Sequence, residues 1–397
     1  MQVSTVMTDV HSDIRGETYY RALELEKAGE KILKLNTGNP ATFGFTMPES
    51  VKTVLTDRAE QALGYCDVRG MAAAREAIRD YHRAHGIRDA QTDDVFIGNG
   101  VSEIASMLTT VSLNEGDEVL VPMPCYSLWV NQIVMVKAKP VFYRCDEQAD
   151  WCPDIADMRR KVTAKTRAVL LINPNNPTGA VYGETLLQEV ISLAREHGLT
   201  IWSDEIYDRL MMDGTPYTSI ASLCDDVPIV TMNGLSKSHC LCGLRCGWLV
   251  LSGPRAETAP LNRALTTLAS VRLCSNALMQ LVIPTALEDA AYTETMIQGR
   301  LSEQRAATCW ALDRIEAASY VPNKAAFYLF PRVEFTRYGF ESDKQFAAAL
   351  LEEEHILVVP GSGFYWDQPD HFRLVMLPKA AELERAIDRI GAFLQTR

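Results

Sequence analysis

The side chains with the clearest chemical potential surround Lys237. This lysine closes the run Asn233-Gly234-Leu235-Ser236-Lys237, and Arg245 follows eight residues later. A lysine amine can form an imine with an aldehyde, and the planar guanidinium of an arginine can donate two parallel hydrogen bonds to a phosphate. Ser236 adds a hydroxyl beside them. The spacing therefore predicts a site at which Lys237 attaches to a phosphorylated aldehyde, although a solvated lysine is the commoner fate of this residue type.

Two other segments could hold the ring of such a molecule. They are Asn173-Pro174-Asn175-Asn176-Pro177-Thr178-Gly179 and Asp204-Glu205-Ile206-Tyr207. A carboxylate such as Asp204 can keep a pyridine nitrogen protonated, and the Tyr207 hydroxyl and the Asn176 amide can hydrogen-bond a ring oxygen. Asp204 could equally cap a helix, and Asn176 could be a turn residue. With the lysine and the arginine, these groups predict a site for pyridoxal 5'-phosphate.

Further cofactor contacts are predicted at two turns. Gly100-Val101-Ser102 opens a helix that begins near Glu103, and the free N–H groups of a helix N-terminus favour an anion. Tyr126 follows two prolines and could stack its ring on the cofactor. An ordinary helix start and packing within the loop are the competing explanations. We therefore predict that Val101, Ser102 and Tyr126 bind the cofactor.

Arg373 lies in an apolar stretch, His371-Phe372-Arg373-Leu374. A buried guanidinium needs an anionic partner, because burying a charge without one is costly. The α-carboxylate of a substrate would be such a partner, and a structural salt bridge would be another. We predict that Arg373 binds the substrate carboxylate.

Seven apolar runs predict the strands that position these groups. The runs are 94–98, 118–121, 140–143, 168–172, 200–203, 229–232 and 247–251. Several lack alternation of apolar and polar residues, which is typical of parallel strands buried on both faces, and helical patterns such as 184–197 lie between them. This order predicts an α/β fold with a mostly parallel seven-stranded sheet between helices. Ligands of such sheets bind at the carboxyl ends of strands, where Asn173, Asp204 and Asn233 stand.

The length of 397 residues predicts two domains, and a charged helical stretch that begins near residue 290 marks the start of the second. The final helix carries Leu383, Ile387, Ile390 and Leu394 at helical spacing, as expected of a docking face. We predict an N-terminal arm that joins a smaller α/β domain, a large cofactor-binding domain and a C-terminal small domain. Their ranges are 1–50, 51–290 and 291–397.

Composition excludes several classes of partner and of site. The formal net charge of −12 argues against nucleic acid, and no apolar run is long enough to span a membrane. The start lacks the pattern of a secretory signal, and the ten cysteines are scattered, which favours reduced thiols in the cytoplasm. Cys240, Cys242 and Cys246 cluster without a second pair of ligands, so we predict packing residues rather than a metal site.

Taken together, these segments resemble the fold-type I pyridoxal-phosphate-dependent aminotransferases, over nearly the whole chain. Within that family they are most similar to the alanine aminotransferase group. The segments that carry this similarity are 13–16, 36–40, 64–67, 98–103 and 270–274. The resemblance implies transamination between an α-amino acid and a 2-oxo acid, with alanine and 2-oxoglutarate favoured.

The same resemblance implies roles for three more residues. It implies a homodimer with shared active sites, in which Tyr65 of the neighbouring chain reaches the cofactor phosphate. Gly38 would line the substrate pocket, and Arg272 would meet the distal carboxylate of glutamate or 2-oxoglutarate, unless it forms an ordinary ion pair instead.

The chain also departs from the family pattern. His239 and Leu244 stand where the family usually has aromatic residues, and Ser127 stands where proline is common. These changes leave open a transaminase of a specialised biosynthetic route with a different amino donor. The same fold and cofactor could also serve a lyase or a decarboxylase, or a cofactor-binding regulator without catalysis.

Overall fold

The computed structural model describes residues 2–397, and within this range it contains fourteen α-helices and fifteen β-strands. The helices α1 to α14 are Glu17–Lys27, Glu49–Asp57, Ala72–Ala84, Val101–Ser112, Ser127–Met135, Ile155–Lys161, Glu184–His197, Arg255–Val271, Ala277–Gln280, Ile283–Glu288, Ala290–Thr295, Ser302–Leu312, Asp343–Glu354 and Ala380–Gln395. The strands β1 to β15 are Leu33–Lys34, Val95–Asn99, Glu118–Met123, Lys139–Asp146, Cys152–Pro153, Thr166–Ile172, Thr200–Asp204, Ile229–Gly234, Cys246–Ser252, Ala318–Ser319, Tyr328–Leu329, Arg332–Val333, Ile356–Leu357, Val359–Pro360 and Phe372–Val375.

One large sheet has the strand order β2-β9-β8-β7-β6-β3-β4-β5. Strands β8, β7, β6, β3 and β4 pair in parallel, as the sequence predicts. All seven predicted runs lie in this sheet. The eighth strand, β5, has only two residues and pairs antiparallel with β4, so it is too short to leave a pattern in the sequence.

Strand β9 runs antiparallel to both of its neighbours, β2 and β8. A parallel strand needs a crossover connection of about a dozen residues or more, usually a helix, whereas an antiparallel strand can follow a shorter return. The segment 235–245 joins β8 to β9 without an α-helix, so the chain reverses direction there. This reversal carries Lys237.

Both faces of the large sheet are buried. In β6, Val169 and Leu171 pack into one apolar core, and Leu170 and Ile172 pack into the core on the opposite face. Helices α3 and α7 cover the first face, and α4, α5 and α8 cover the second. Burial on both sides explains why the strand sequences show little alternation.

A third core lies beneath α12, α13 and α14, where the short strands β11, β14 and β15 form a separate sheet. The predicted docking face of the final helix is confirmed, because Leu383, Ile387, Ile390 and Leu394 are all buried in this core. Strand β1 pairs in parallel with β13, which ties the N-terminal segment to the C-terminal part of the chain. The domain division at residues 50 and 290 stays a prediction.

Candidate active site

Every site residue predicted from the sequence, except Tyr65 and Arg272, lines a single cavity of about 160 Å³. These residues are Gly38, Val101, Ser102, Tyr126, Asn176, Asp204, Tyr207, Ser236, Lys237, Arg245 and Arg373. The cavity lies at the carboxyl ends of β6, β7 and β8, where Ile172, Asp204 and Met232 are in register across the three strands. The strand-end rule therefore predicted its place correctly.

Lys237 directs its amine into this cavity. Its Nζ donates a hydrogen bond of 3.0 Å to the backbone carbonyl of Gly38 and lies 5.8 Å from the centre of the Phe327 ring. Gly38 belongs to the segment after β1 and Phe327 directly precedes β11, so the amine sits between two remote parts of the chain. An amine held in a cavity can react with a bound aldehyde.

One end of the cavity combines a helix N-terminus with a guanidinium, and both favour an anion. Val101 and Ser102 form the first turn of α4, and the guanidinium of Arg245 lies against Gly100, the residue that precedes the helix. Arg245 donates to the carbonyls of Cys242 at 2.9 Å and Asn99 at 3.3 Å, which fixes its orientation. Gly100 has a φ of 79°, and a Cβ added there would lie 2.2 Å from Arg245 Nη2. The close approach of helix N-terminus and guanidinium is thus possible only with glycine.

Asp204 ends β7 and is buried at the centre of the site. The indole Nε1 of Trp129 donates to its Oδ2 at 2.8 Å, and the backbone N–H of Ile206 donates to its Oδ1 at 3.3 Å. Burial nevertheless raises the pKa of Asp204 to about 6, because desolvation disfavours the carboxylate. A buried carboxylate of this kind gains from a cationic partner, such as a protonated ring nitrogen.

Two tyrosines meet across the cavity. The Tyr207 hydroxyl donates to the Tyr328 hydroxyl at 3.0 Å, and both side chains are almost fully buried. Burial raises the pKa of Tyr207 well above its ordinary value, and burial also raises the pKa of Tyr126. The Tyr207 phenol therefore keeps its proton at neutral pH and can act as a hydrogen-bond donor.

Arg373, in β15, is a buried cation whose hydrogen-bond partners are neutral. Its Nη1 donates to Asn176 Oδ1 at 3.0 Å, its Nη2 donates to the carbonyl of Asn36, and its buried Nε has no partner. The rings of Tyr328 and Phe364 flank the guanidinium, with centres 4.5 and 4.7 Å from its carbon. Burial lowers the pKa of Arg373. A cation without an anionic neighbour, facing a cavity, is suited to a carboxylate ligand.

Tyr65 and Arg272 lie outside the cavity of their own chain. Tyr65 is 83% exposed. Arg272 pairs with Glu103 at 3.2 Å and donates to the carbonyl of Ile97 at 2.7 Å, so it forms the ion pair that the sequence had left open. Both predicted roles concern a shared site between two chains, and they stay predictions.

Sequence patterns missed several residues of the site. Trp129, the donor to Asp204, stood in an apolar run whose helical register places it under the site. Tyr328, Thr37 and Cys242 also line the cavity. Cys242 was expected to pack beside Lys237, and Thr37 directly precedes Gly38 in a segment that the family resemblance had marked. Tyr328 comes from β11, and no local pattern connected it with Lys237.

Three residues that depart from the family pattern, Ser127, His239 and Leu244, do not line the cavity. His239 is fully buried, hydrogen-bonds the Ser238 hydroxyl at 2.8 Å and stacks on Tyr292 with ring centres 6.2 Å apart. Burial lowers the pKa of His239 to about 4, so the imidazole is neutral. His239 thus occupies an aromatic packing position behind the lysine.

Two of the three cysteines near Lys237, Cys240 and Cys246, pack against neighbouring residues, and the third, Cys242, lines the cavity. Cys240 contacts the Met296 sulfur at 3.3 Å, and Cys246 donates to the Met279 carbonyl at 3.1 Å. All ten cysteines of the chain are free thiols. Across residues 2–397, no group of three His, Cys, Asp or Glu side chains is placed to hold a metal ion. In the same range, no helix has the length and apolar character needed to cross a membrane.

Comparison with known proteins agrees with this geometry. Residues 30–390 match the family described as aminotransferase class I and II. The chain is 45% identical to the glutamate-pyruvate aminotransferase AlaA of Haemophilus influenzae, covering 96% of this chain and 95% of the relative. It is 41% identical to the alanine aminotransferase of Mycobacterium bovis, covering 98% of this chain and 92% of the relative.

Solved structures show the same similarity. An Escherichia coli aminotransferase, 41% identical, superposes with a TM-score of 0.97 over 100% of this chain and 98% of its own. The alanine aminotransferase of Pyrococcus furiosus, 35% identical, superposes with a TM-score of 0.95 over 100% of both chains. The chain therefore belongs to the class I and II aminotransferases, with the α/β fold and the family resemblance that its sequence had indicated.

Proposed function

We propose that this aminotransferase uses pyridoxal 5'-phosphate and moves an amino group between alanine and 2-oxoglutarate. The observation that carries the proposal is the convergence of Lys237, Asp204, Arg245 and Arg373 on one cavity. The names of the relatives, glutamate-pyruvate and alanine aminotransferase, support this choice of substrates.

The donors in the cavity fit the cofactor at each of its functional groups. Arg245 and the first turn of α4, with the Ser102 and Ser236 hydroxyls, would hold the phosphate. Asp204 would hold the ring nitrogen, and Tyr207 and Asn176 would reach the ring oxygen. The space between Gly100 and Arg245 has no room for a Cβ, as expected where a backbone closely approaches an anion site.

When bound, the cofactor would supply an aldehyde for attachment and a ring that accepts electrons from the substrate. The chain supplies position and proton transfer. Arg373 would grip the substrate carboxylate with its free Nε and terminal nitrogens, which orients the Cα hydrogen towards Lys237. The Lys237 amine would then act as general base and take the proton from the substrate Cα. It would next act as general acid and deliver that proton to the aldehyde carbon of the cofactor.

The proposed assembly is a homodimer. Four apolar side chains stand exposed around the segments 63–65 and 271–273: Leu63, Tyr65, Val271 and Leu273. The Gln280 amide links the residues that follow these segments, donating to Cys66 Sγ at 3.4 Å and to the Ser275 carbonyl at 3.2 Å. An exposed apolar patch of this kind is typical of a protein interface. A second copy covering it would bring the partner's Tyr65 towards the phosphate end, and the free thiols favour the cytoplasm as compartment.

A panel of amino acids tests the proposed reaction. The holoenzyme is mixed with each amino acid alone, and absorbance follows conversion of the bound aldehyde to the amine form. Alanine and glutamate should convert the cofactor fully in a single half-reaction, and 2-oxoglutarate or pyruvate should restore the aldehyde form. A lyase would instead return to the aldehyde form with every turnover.

The Lys237→Ala variant should lose this half-reaction by a factor on the order of 10⁴, because both attachment and proton transfer depend on the amine. Lys324→Ala removes a lysine that pairs with Asp150 on the surface, and it should leave the rate unchanged. Rapid conversion by the Lys237→Ala enzyme would contradict the proposed function.

A further inference from the structure

Tyr328 contacts three groups that serve different parts of the proposed reaction. Its hydroxyl lies 3.0 Å from the Tyr207 hydroxyl, its ring centre lies 4.5 Å from the Arg373 guanidinium carbon, and a Cβ on Gly38 would lie 2.2 Å from its hydroxyl oxygen. It is only 2% exposed, so these contacts are fixed by packing.

The backbone places Tyr328 where it can join these groups. It begins β11, which pairs antiparallel with β15, and it stands opposite Val375 in the register. Arg373 is on the same strand β15, two residues before Val375. The ring therefore covers the guanidinium, while the hydroxyl reaches across to Tyr207, three residues after the end of β7.

The chemistry of the hydroxyl pair gives Tyr328 its role. Tyr207 has one hydroxyl proton, and a cofactor ring oxygen would need that proton as a hydrogen bond. A second hydroxyl that donates to the Tyr207 oxygen leaves this proton available and strengthens the bond it makes, because linked hydrogen bonds polarise one another. In the structure the Tyr207 hydroxyl donates to Tyr328 at 3.0 Å, and because a hydroxyl can both donate and accept, Tyr328 can donate in return once the Tyr207 proton turns to the ring oxygen.

We propose that Tyr328 is a positioning residue, whose hydroxyl orients Tyr207 to donate to the ring oxygen of the bound cofactor. This inference rests on the proposed function of Tyr207. It adds a link between the carboxylate-binding side of the cavity and the cofactor ring, since the same side chain covers Arg373.

A double-mutant cycle on the holoenzyme tests the proposal, with the absorbance of the bound cofactor titrated against pH. A donor to the ring oxygen stabilises the form that has lost its proton, so removing the donor raises the pH at which the proton leaves. We expect an upward shift of about one pH unit for Tyr207→Phe and about half a unit for Tyr328→Phe. The Tyr207→Phe/Tyr328→Phe enzyme should shift no further than Tyr207→Phe alone, because the hydroxyl of Tyr328 acts only through Tyr207.

Two measurements separate this role from simple packing. Tyr328→Phe keeps the ring over Arg373, so KM for the amino acid should stay close to that of the parent enzyme while the spectral midpoint moves. Tyr320→Phe removes a tyrosine hydroxyl that bonds Asp313 at 2.8 Å in the C-terminal part of the chain, and it should leave the midpoint unchanged.

The outcomes distinguish the two levels of the proposal. If Tyr207→Phe shifts the midpoint and Tyr328→Phe does not, the role of Tyr328 is wrong and that of Tyr207 stands. Shifts that add in the double variant would also refute action through Tyr207. If Tyr207→Phe shifts nothing, its proposed contact with the ring oxygen is wrong and the role of Tyr328 is lost with it.

Discussion

Asp204 is a buried carboxylate, and a cationic partner would offset the cost of burying its charge. In the cofactor-free protein, burial raises its pKa from an ordinary 3.8 to about 6. The unfolded chain therefore releases this proton at lower pH than the folded chain. The folded state is increasingly penalised as pH rises from about 4 to about 6, and the penalty is constant above that.

We predict that Asp204→Asn stabilises the cofactor-free protein at neutral pH. The gain should grow between pH 4 and 6 and level off at no more than roughly 3 kcal/mol, measured by urea unfolding followed by tryptophan fluorescence. The same substitution should lower the transamination rate by a factor on the order of 100, because a neutral amide no longer holds the ring nitrogen charged. Stability and activity thus oppose each other at this residue.

An exposed acid provides the control with the opposite sign. The ion pair with Arg195 lowers the pKa of Asp226, so that pair stabilises the fold above the unfolded pKa, and its contribution is lost as pH falls. Asp226→Asn should therefore lose stability at neutral pH and differ little from the parent in acid. If the difference in unfolding free energy between Asp204→Asn and the parent did not change with pH, the assigned cost of burying Asp204 would be wrong.

At the scale of elements, the junction between β2 and α4 forms the proposed anion end of the site. Gly100 combines a left-handed backbone with direct contact to Arg245. Gly100→Ala should weaken cofactor binding by roughly 10- to 100-fold, because the new methyl group displaces the guanidinium from the phosphate. Equilibrium dialysis of pyridoxal phosphate, or the fluorescence of the bound cofactor, would measure the change.

Gly116→Ala separates backbone strain from displacement of Arg245. Gly116 also has a positive φ, of 84°, but a Cβ there would have no neighbour within 4 Å. This variant should cost about 1 kcal/mol of stability and leave cofactor affinity unchanged. Equal affinities for the two alanine variants would show that the approach of Gly100 to Arg245 has no part in binding.

At the scale of the whole molecule, the proposed homodimer shares residues between its two sites. Lys237 lines the cavity of its own chain, while Tyr65 does not line that cavity and is exposed on the surface. Co-expressing a Lys237→Ala chain with a Tyr65→Ala chain should restore activity, because each mixed dimer contains one site with both native residues. Activity of tag-purified mixed dimers, compared with both parent dimers, measures this.

A mixture of Lys237→Ala and Asp204→Asn chains is the matched control. Both residues line the same cavity of one chain, so no mixed dimer regains a native site. This mixture should stay at or below the roughly 100-fold reduced rate of the Asp204→Asn enzyme. Failure of the Lys237→Ala and Tyr65→Ala pair to gain activity would contradict the proposed role of Tyr65.

Patterns among residues close together in sequence were enough to predict many of the strands and helices of this molecule. The seven strand runs, the helix at 184–197 and the apolar face of the final helix each depend on residues close together in sequence, and the structure confirms them. The strand-end rule then brought Asn176, Asp204 and Lys237 to one edge of the sheet. Their placement needed no long-range information, because Asp204 ends its own strand and Asn176 and Lys237 follow theirs by a few residues.

Only the tertiary structure decided the contacts between distant segments. Trp129 reaches Asp204 across 75 residues of sequence, Tyr207 meets Tyr328 across 121, and Arg272 pairs with Glu103 across 169. Propensity and periodicity act over one turn or one strand, whereas these pairs depend on how crossovers and the short sheets of the C-terminal part fold back onto the large sheet. The sequence by itself thus determined which residues could do the chemistry, and the packing of remote elements decided which neighbours hold them in place.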